Sequence, residues 1–349
     1  MSYLQHHKPL AIKIPKHLSN TSISSNDQPH YQHSKHINQN INHVNYGAAL
    51  KKIENSFQSI EFEEYGDEIS SYMNDLEDKM QPLKNYMGIV QAEGQIDWKM
   101  RKTLVVWLVE VHKEYNLRLE TLYLTINILD RYCSLAQVDR PTYQLLGITS
   151  LLLAAKYEEN HGYVPSLKNL SYMCCDAYTD KQFRIFERRI LNVVGFEMGF
   201  ISPETFTKRF LYLNPFLFTN PETRALIRFF NELSLVTHNF LNFKPSVISL
   251  ASMLLAHQIT EGSGWVVEED VEICRVALIQ VIPEVPNAIY QKYNQVELCN
   301  VSSLAKNWSN QQRKMYVSRL YASGQLTPPK DNAGFTFPNS YNAGSDTTY

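Results

Sequence analysis

Apolar residues recur at helical spacing through the middle of the chain. Within residues 97–116, Leu104, Leu108, Val111 and Tyr115 are separated by four, three and four positions and would form one apolar stripe on a helix. The same spacing predicts four further helices, over residues 120–135, 141–159, 166–175 and 179–194. A first set of five helices is therefore expected between residues 97 and 194.

Local capping signals support this prediction. Pro141 suits the first turn of a helix, and Thr179 with Gln182 forms a capping box. After Gly199 the helical pattern restarts at two points where a polar residue precedes Pro-Glu, at 202–204 and 220–222. It then continues over residues 244–259, 268–282 and 286–305, which predicts a second set of similar length.

A short internal repeat links the two sets. The sequence Ser-Leu-Leu-Leu-Ala at 150–154 returns as Ser-Met-Leu-Leu-Ala at 252–256, and each copy falls in the third helix of its set. Small residues interleaved with leucines suit a helix that other helices surround. The expected fold class is therefore all-α, with tandem five-helix domains.

Composition separates these domains from both ends of the chain. Asn, Gln, Ser and His supply 23 of the first 46 residues, so little apolar surface offsets the cost of ordering the backbone. The seven histidines in this stretch are irregularly spaced, which favours low-complexity bias over a metal site. We expect a disordered arm, an N-terminal helix with its connection, two domains and a disordered tail, over residues 1–65, 66–96, 97–199, 200–307 and 308–349.

Overall charge and cysteine usage exclude several classes of protein. The 349 residues carry 33 Lys and Arg against 35 Asp and Glu, so binding to nucleic acid is not expected. Five cysteines without a CxxC pair indicate a reducing compartment and no zinc ribbon. Neither a secretory h-region nor 18 uninterrupted apolar residues occur, so we expect no membrane association either.

Motifs for catalysis are weak. Glu158 and His161 form an ExxH pair of the di-iron type, but such a site needs a second pair. The GxG at 262–264 stands alone in a loop. We therefore expect no enzyme active site, no cofactor and no metal.

Two charged residues lie inside strongly apolar segments. Lys156 directly follows the apolar run 151–155, and Glu187 lies within the apolar segment 183–191. Burying either charge alone would cost several kcal/mol. In one interpretation each lies at a helix edge and pairs with a neighbour such as Arg188 or Glu159. In the other, Lys156 and Glu187 form a pair at the rim of an apolar surface and bind the end of a partner's helix.

Several segments, in order, resemble the cyclin box. Residues 100–111 resemble its opening MRAIL segment, and 129–132, 143–147 and 153–159 resemble the signatures that follow. Residues 186–196 resemble the fifth helix, and the whole resemblance covers about 70–300. It implies a tandem cyclin fold and a regulatory subunit of a cyclin-dependent kinase, which shifts the kinase toward its active arrangement without itself doing chemistry.

The resemblance also implies a kinase-binding set. Lys156 and Glu187 would bond backbone groups at the ends of the kinase's regulatory helix, while Tyr157, Leu191 and Phe196 pack against its apolar face. In the active arrangement a glutamate of that helix pairs with the lysine that holds ATP. Glu159 belongs to the same expected set.

A second face of the first box helix is expected to dock substrates. Helical spacing groups Met100, Thr103, Trp107 and Glu110, and an outward Trp is usually a contact residue. In cyclins this face binds short RxL-type peptides of substrates or inhibitors, here with Leu104, Arg140 and Gln144. Thr103 and Tyr143 depart from the aliphatic residues usual in the family, and Met100 and Trp107 could instead be covered by the N-terminal helix or tail.

The subfamily is predicted from weaker signals. Residues 166–178 and 181–183 resemble fungal G1 cyclins of the Cln/Puc type, whereas 107–112 resemble B-type cyclins. No arginine precedes Arg101, so the arm holds no RxxL destruction box. Thr327, in the Thr-Pro-Pro-Lys stretch, resembles a phosphorylated degron for an SCF-type ubiquitin ligase.

These signals favour a G1/S cyclin located in the nucleus and cytoplasm. The alternatives are a B-type S-phase or mitotic cyclin and, more remotely, a TFIIB-like transcription factor with tandem cyclin folds.

Overall fold

The computed structural model describes residues 65–322 except 67, 94, 214–217 and 263–267. All regular elements in these residues are helices, which confirms the predicted fold class. The first half contains α1 (68–79), α2 (Tyr86–Ile89), α3 (Trp98–Glu114), α4 (Leu119–Leu135), α5 (Arg140–Glu158), α6 (Leu167–Met173) and α7 (Asp180–Val193). The second contains α8 (Pro203–Leu213), α9 (Pro221–Ser234), α10 (Pro245–Glu261), α11 (Glu269–Val281), α12 (Asn287–Tyr293) and α13 (Val301–Ala322).

The third helix of each set lies at the centre of its domain. In the first domain α5 packs against α3, α4 and α7, and every residue from 143 to 155 is buried. Gly147 allows close approach, since a Cβ atom there would lie 3.0 Å from Leu104 Cδ1. In the second domain α10 packs against α8, α9 and α11. The repeated segments therefore occupy equivalent central positions, as their small and leucine residues predict.

The predicted caps form as expected. The Thr179 hydroxyl accepts a hydrogen bond from the Gln182 amide, and the Gln182 side chain accepts one from the Thr179 backbone N–H. The Asn220 side chain accepts one from the Glu222 amide at 3.0 Å. A further cap that was not predicted forms at Asp97, which accepts from the Met100 amide at 2.7 Å at the start of α3. Each cap satisfies an N–H group that a helix start leaves unpaired.

The predicted helix over 286–305 is divided in the structure. Helix α12 ends at Tyr293, a short 3-10 turn follows at Val296–Leu298, and Cys299 and Asn300, with left-handed φ values of 55° and 50°, separate that turn from α13. Helix α13 then runs to Ala322, past the boundary predicted at 307. Ser309 is buried, so the docked part of this helix extends beyond that boundary. The expected arm lies outside the described residues, apart from its last position, as does the tail after 322.

A buried arginine joins the two domains. Arg101 donates from Nε to Asp130 Oδ1 at 2.8 Å and from Nη2 to Asp130 Oδ2 at 2.7 Å. Its Nη1 donates to the carbonyls of Leu235 and Val236, in the second domain. Burial acts to lower the pKa of Arg101, but the Asp130 carboxylate outweighs it and holds the pKa above its ordinary value. A paired, hydrogen-bonded charge of this kind can stay buried.

Helix α1 bridges the domains from outside. Glu77 accepts hydrogen bonds from the backbone amide and the hydroxyl of Ser246, at the start of α10. Asn127 of α4 donates to the Met80 carbonyl at 2.9 Å. Among the described helices, none combines the length and apolarity needed to cross a membrane.

Candidate functional site

Lys156 and Glu187 meet as an ion pair on the surface of the first domain. Lys156 lies in the last turn of α5 and its ammonium contacts Glu187 Oε1, on α7. The lysine side chain is 47% exposed and the glutamate 19%. A cation in the last turn is also favoured by the partial negative charge of a helix C-terminus. Of the partners considered from the sequence, the structure selects Glu187 rather than Glu159 for this lysine.

Large apolar side chains surround this ion pair. Tyr157 is 56% exposed and Phe196 is 65% exposed, while Leu191 is half-buried one turn after Glu187 on α7. The Phe196 amide donates to the Leu191 carbonyl at 2.9 Å, which places the two residues side by side. We call Lys156, Tyr157, Glu187, Leu191 and Phe196 the α5–α7 patch.

The backbone at Phe196 is held in a costly conformation. Gly195 and Phe196 have φ values of +69° and +61°, and the left-handed region costs a non-glycine residue about 1–2 kcal/mol. Arg131 fixes this turn, since its guanidinium donates to the carbonyls of Glu197 at 2.7 Å and Val194 at 3.2 Å. A buried guanidinium thus supports a turn that leaves a phenyl ring in solvent. Such strain is often found at functional sites.

Glu159 is engaged within the molecule. Its Oε1 accepts hydrogen bonds from the Arg118 amide at 2.7 Å and the Thr121 hydroxyl at 2.6 Å, at the start of α4. Arg118 also donates to the Glu158 carbonyl at 3.0 Å. A contact of Glu159 with a partner therefore stays a prediction that would have to use its second carboxylate oxygen.

The expected docking residues are mostly buried. Met100, Leu104, Trp107 and Gln144 have side chains in the interior, with Trp107 only 1% exposed. The expectation of an outward Trp107 was wrong, because α12 packs against α3 and the buried arc of α3 is wider than the single stripe. Of the remaining residues, Thr103 is exposed, whereas Glu110 and Arg140 are half-buried.

A depression nevertheless lies beside Trp107. Its volume is about 370 Å³, and it is lined by Thr103, Trp107 and Glu110 of α3 together with Glu284 and Pro286 of the second domain. The Trp107 indole N–H is buried without a hydrogen-bond partner among the described residues. Burial acts to raise the pKa of Glu110, and the charge of Lys113 acts to lower it, with a net rise. The sequence did not indicate the contribution of Glu284 and Pro286.

The predicted degron at Thr327 lies outside the described residues. Within the residues that are described, no three His, Cys, Asp or Glu side chains come together as possible metal ligands.

Comparison with known proteins gives two consecutive family matches. Residues 68–199 match the family description "Cyclin, N-terminal domain", and residues 201–307 match "Cyclin, C-terminal domain". Together they cover most of the chain.

Individual relatives were also found. The G2/mitotic-specific cyclin cig2 of Schizosaccharomyces pombe is 34% identical over 244 residues, which are 66% of this chain and 57% of that protein. The G2/mitotic-specific cyclin-B of Emericella nidulans is 30% identical over 284 residues, 77% of this chain and 57% of that protein. Cyclin-A2 of Xenopus laevis is 36% identical over 203 residues, 58% of this chain and 47% of that protein. The chain thus spans about half the length of these relatives.

Among solved structures, a viral cyclin from herpesvirus saimiri matches with a TM-score of 0.49 and 15% identity, over 67% of this chain and 96% of that one.

Proposed function

The chain belongs to the cyclin family, and we propose that it binds and activates a cyclin-dependent protein kinase as a B-type cyclin of S phase or mitosis. The names of its relatives in S. pombe and E. nidulans support the B-type alternative over the G1/S interpretation. The resemblance of residues 166–178 to G1 cyclins is confined to one short helix and its flanks. It carries less weight than 34% sequence identity over 244 residues to a G2/mitotic-specific cyclin.

The α5–α7 patch is the observation that carries this proposal. It combines two exposed aromatic rings with an ion pair that still has bonding capacity. An ammonium has three donors, and Glu187 engages one of them, so Lys156 can also donate to carbonyls at a helix C-terminus. The second oxygen of Glu187 can accept from N–H groups at a helix N-terminus. An apolar helix with free ends is therefore the partner that this surface fits.

The proposed mechanism is a population shift. The kinase has an inactive and an active placement of its regulatory helix, and the patch contacts only the active one. Moving a two-state equilibrium from 1:99 to 99:1 needs about 5.5 kcal/mol of preferential binding. Covering the exposed parts of Tyr157 and Phe196 would supply on the order of 6 kcal/mol before the costs of association. Burial of the two rings is thus comparable in free energy to the shift that is required. In this mechanism the chain contributes no catalytic group.

A charge exchange tests the role of the ion pair. We compare Lys156→Ala with Glu187→Ala, as a double variant, against the exchange Lys156→Glu with Glu187→Lys. The exchange keeps an attractive pair between α5 and α7 but presents the opposite charges to a partner. We expect both double variants to fold, to bind the kinase weakly and to activate it poorly.

The measurements are pull-down of the kinase, phosphorylation of a generic peptide and helical content by circular dichroism. Ile273→Ala removes an exposed apolar side chain of α11, outside the patch, and serves as the control. Normal activation by the exchange variant would show that the pair only holds the two helices together, and the proposed contact would then be wrong.

Three further proposals extend the expectations of the sequence analysis. The depression lined by Thr103 and Glu110 of α3, with Glu284 and Pro286, contributes to docking of substrate or inhibitor peptides. Phosphorylation of Thr327 directs the chain to a ubiquitin ligase of the SCF type. The protein acts in the nucleus and the cytoplasm.

A further inference from the structure

A second depression continues the one beside Trp107. It has a volume of about 280 Å³ and lies between the start of α3 and the second domain. Lys102, Glu284 and Pro286 line both depressions, so the two form one channel along α3. One wall belongs to α3, and the other is built from the turn at 238–242 and the residues before α12. We call it the interdomain channel.

The floor of the interdomain channel is apolar at both ends. Trp98 and His238 stack at one end, with ring centroids 4.4 Å apart and an interplanar angle of 10°. Burial, followed by the charge of Arg101, lowers the pKa of His238, so its ring is neutral at pH 7. Trp107 and Pro286 line the other end. Flat, rigid rings of this kind are favoured at protein contact sites.

Charges are ordered along the channel. The α3 wall presents positions 99, 102, 103, 106, 107 and 110, which fall on one face of a helix. Lys102 and Glu284 line both depressions and carry opposite charges, so the difference between the ends comes from Lys99, which makes the Trp98 end basic, and Glu110, which makes the Trp107 end acidic. Within the described residues, neither lysine forms an ion pair with an acidic side chain. The two ends therefore offer opposite charges to a ligand.

The spacing of these charges sets the length of a fitting ligand. Lys99 and Glu110 are eleven positions apart on α3, which corresponds to about 16 Å along a helix axis. An extended peptide covers this distance in about five residues, at about 3.3 Å per residue.

We infer that the interdomain channel binds an extended segment of a substrate protein whose basic residue lies at Glu110 and whose anionic residue, about five positions away, lies against Lys99 and Lys102. The inference rests on the substrate-docking part of the proposed function and adds to it a second, anion-selective end, walled by the second domain. The anion can be a carboxylate or a phosphorylated side chain, since both offer the same oxygen chemistry to an ammonium.

The test uses the full-length chain without a kinase, and fluorescence anisotropy of labelled ten-residue peptides. Each peptide carries one arginine and, five positions away, Glu, phosphoserine, Ala or Lys, and both orders of the two residues are synthesised. In at least one order, we expect the Glu or phosphoserine peptide to bind about three to ten times more tightly than the Ala peptide. The stronger of these two identifies the source of the anion.

Charge reversal gives the decisive comparison. The double variant Lys99→Glu with Lys102→Glu should lose the preference for the anionic peptide and prefer the Lys peptide instead. Lys168→Glu, an exposed lysine of α6, is the matched control and should behave as the unmodified chain. Equal binding of the Glu, phosphoserine and Ala peptides, or an unchanged preference in the double variant, would overturn the inference.

Kinase activation is measured in parallel on a generic peptide. Because Lys99 and Lys102 lie outside the α5–α7 patch, the double variant should activate the kinase normally. If the variants of the α5–α7 patch lose kinase activation but keep the preference for the anionic peptide, kinase activation and peptide selection belong to different surfaces, as proposed. If the unmodified chain selected peptides but activated no kinase, the proposed function alone would be wrong.

Discussion

Replacing Phe196 should separate stability from partner binding. The phenyl ring is 65% exposed, and its backbone occupies the left-handed region at φ +61°. Phe196→Ala removes the ring but keeps a side chain in that conformation, whereas Phe196→Gly removes the ring and also relieves the backbone cost. The two variants are therefore expected to lose the same contact with a kinase and to differ in folding stability.

The magnitude follows from the exposed area. Aromatic side chains bury about 150–250 Å² each, so the exposed part of Phe196 corresponds to about 130 Å² that a partner could cover. At about 25 cal/mol per Å² this is worth about 3 kcal/mol, or roughly 150-fold in affinity. Because association also has ordering costs, we expect the dissociation constant to rise between about tenfold and 150-fold. Phe196→Gly should unfold with a free energy about 1 kcal/mol higher than that of Phe196→Ala.

Two assays check these numbers. Calorimetric titration of the kinase gives the dissociation constant, and urea unfolding followed by circular dichroism gives the free energy of unfolding. Ile273→Ala, another exposed apolar residue, should change neither by more than about 0.5 kcal/mol. Unchanged affinity in both Phe196 variants would refute the role of this ring, and equal stability of the two would refute the strain.

Two predictions concern the buried charges. Arg101→Met leaves the Asp130 carboxylate buried without its ion-pair partner and should lower the free energy of unfolding by about 3–5 kcal/mol, whereas adding Asp130→Leu should recover part of that loss in the same urea experiment. For His112, burial and then the charge of Lys292 lower the pKa below 6.5, so the folded state resists protonation and the free energy of unfolding should fall as the pH drops below 6.5. In urea unfolding across this pH range, His112→Gln should lose less stability than the unmodified chain. The same pH dependence in both proteins would show that His112 is not the group responsible.

The sequence predicted the helices well because their signals are local. Caps such as Thr179 with Gln182 act within one turn, and the apolar periodicity of α3 to α7 directly reflects burial. The apolar surroundings of Lys156 and Glu187 allowed their pairing as one of two interpretations, and only the family resemblance favoured it, since no local signal brings together residues 31 positions apart.

Contacts between the domains could not be predicted in this way. Arg101 reaches the carbonyls of Leu235 and Val236, more than 130 positions away, and no periodicity encodes that distance. The same packing explains the error at Trp107, because a residue outside the main stripe of α3 is buried once the second domain covers it. The left-handed turn at Gly195 and Phe196 was not predicted either, and Phe196 is not a residue type that favours this conformation.

Two ion pairs of the first domain differ in what they leave free. The Arg101–Asp130 pair is almost completely buried, and its polar atoms are bonded within the molecule, so its role is to hold helices and domains together. The Lys156–Glu187 pair is partly exposed, and such pairs typically contribute less than about 1 kcal/mol to folding. An apolar pair of similar size would join α5 and α7 at least as well. The retention of two charges beside exposed rings is therefore better explained by what they offer to a second molecule than by what they add to this fold.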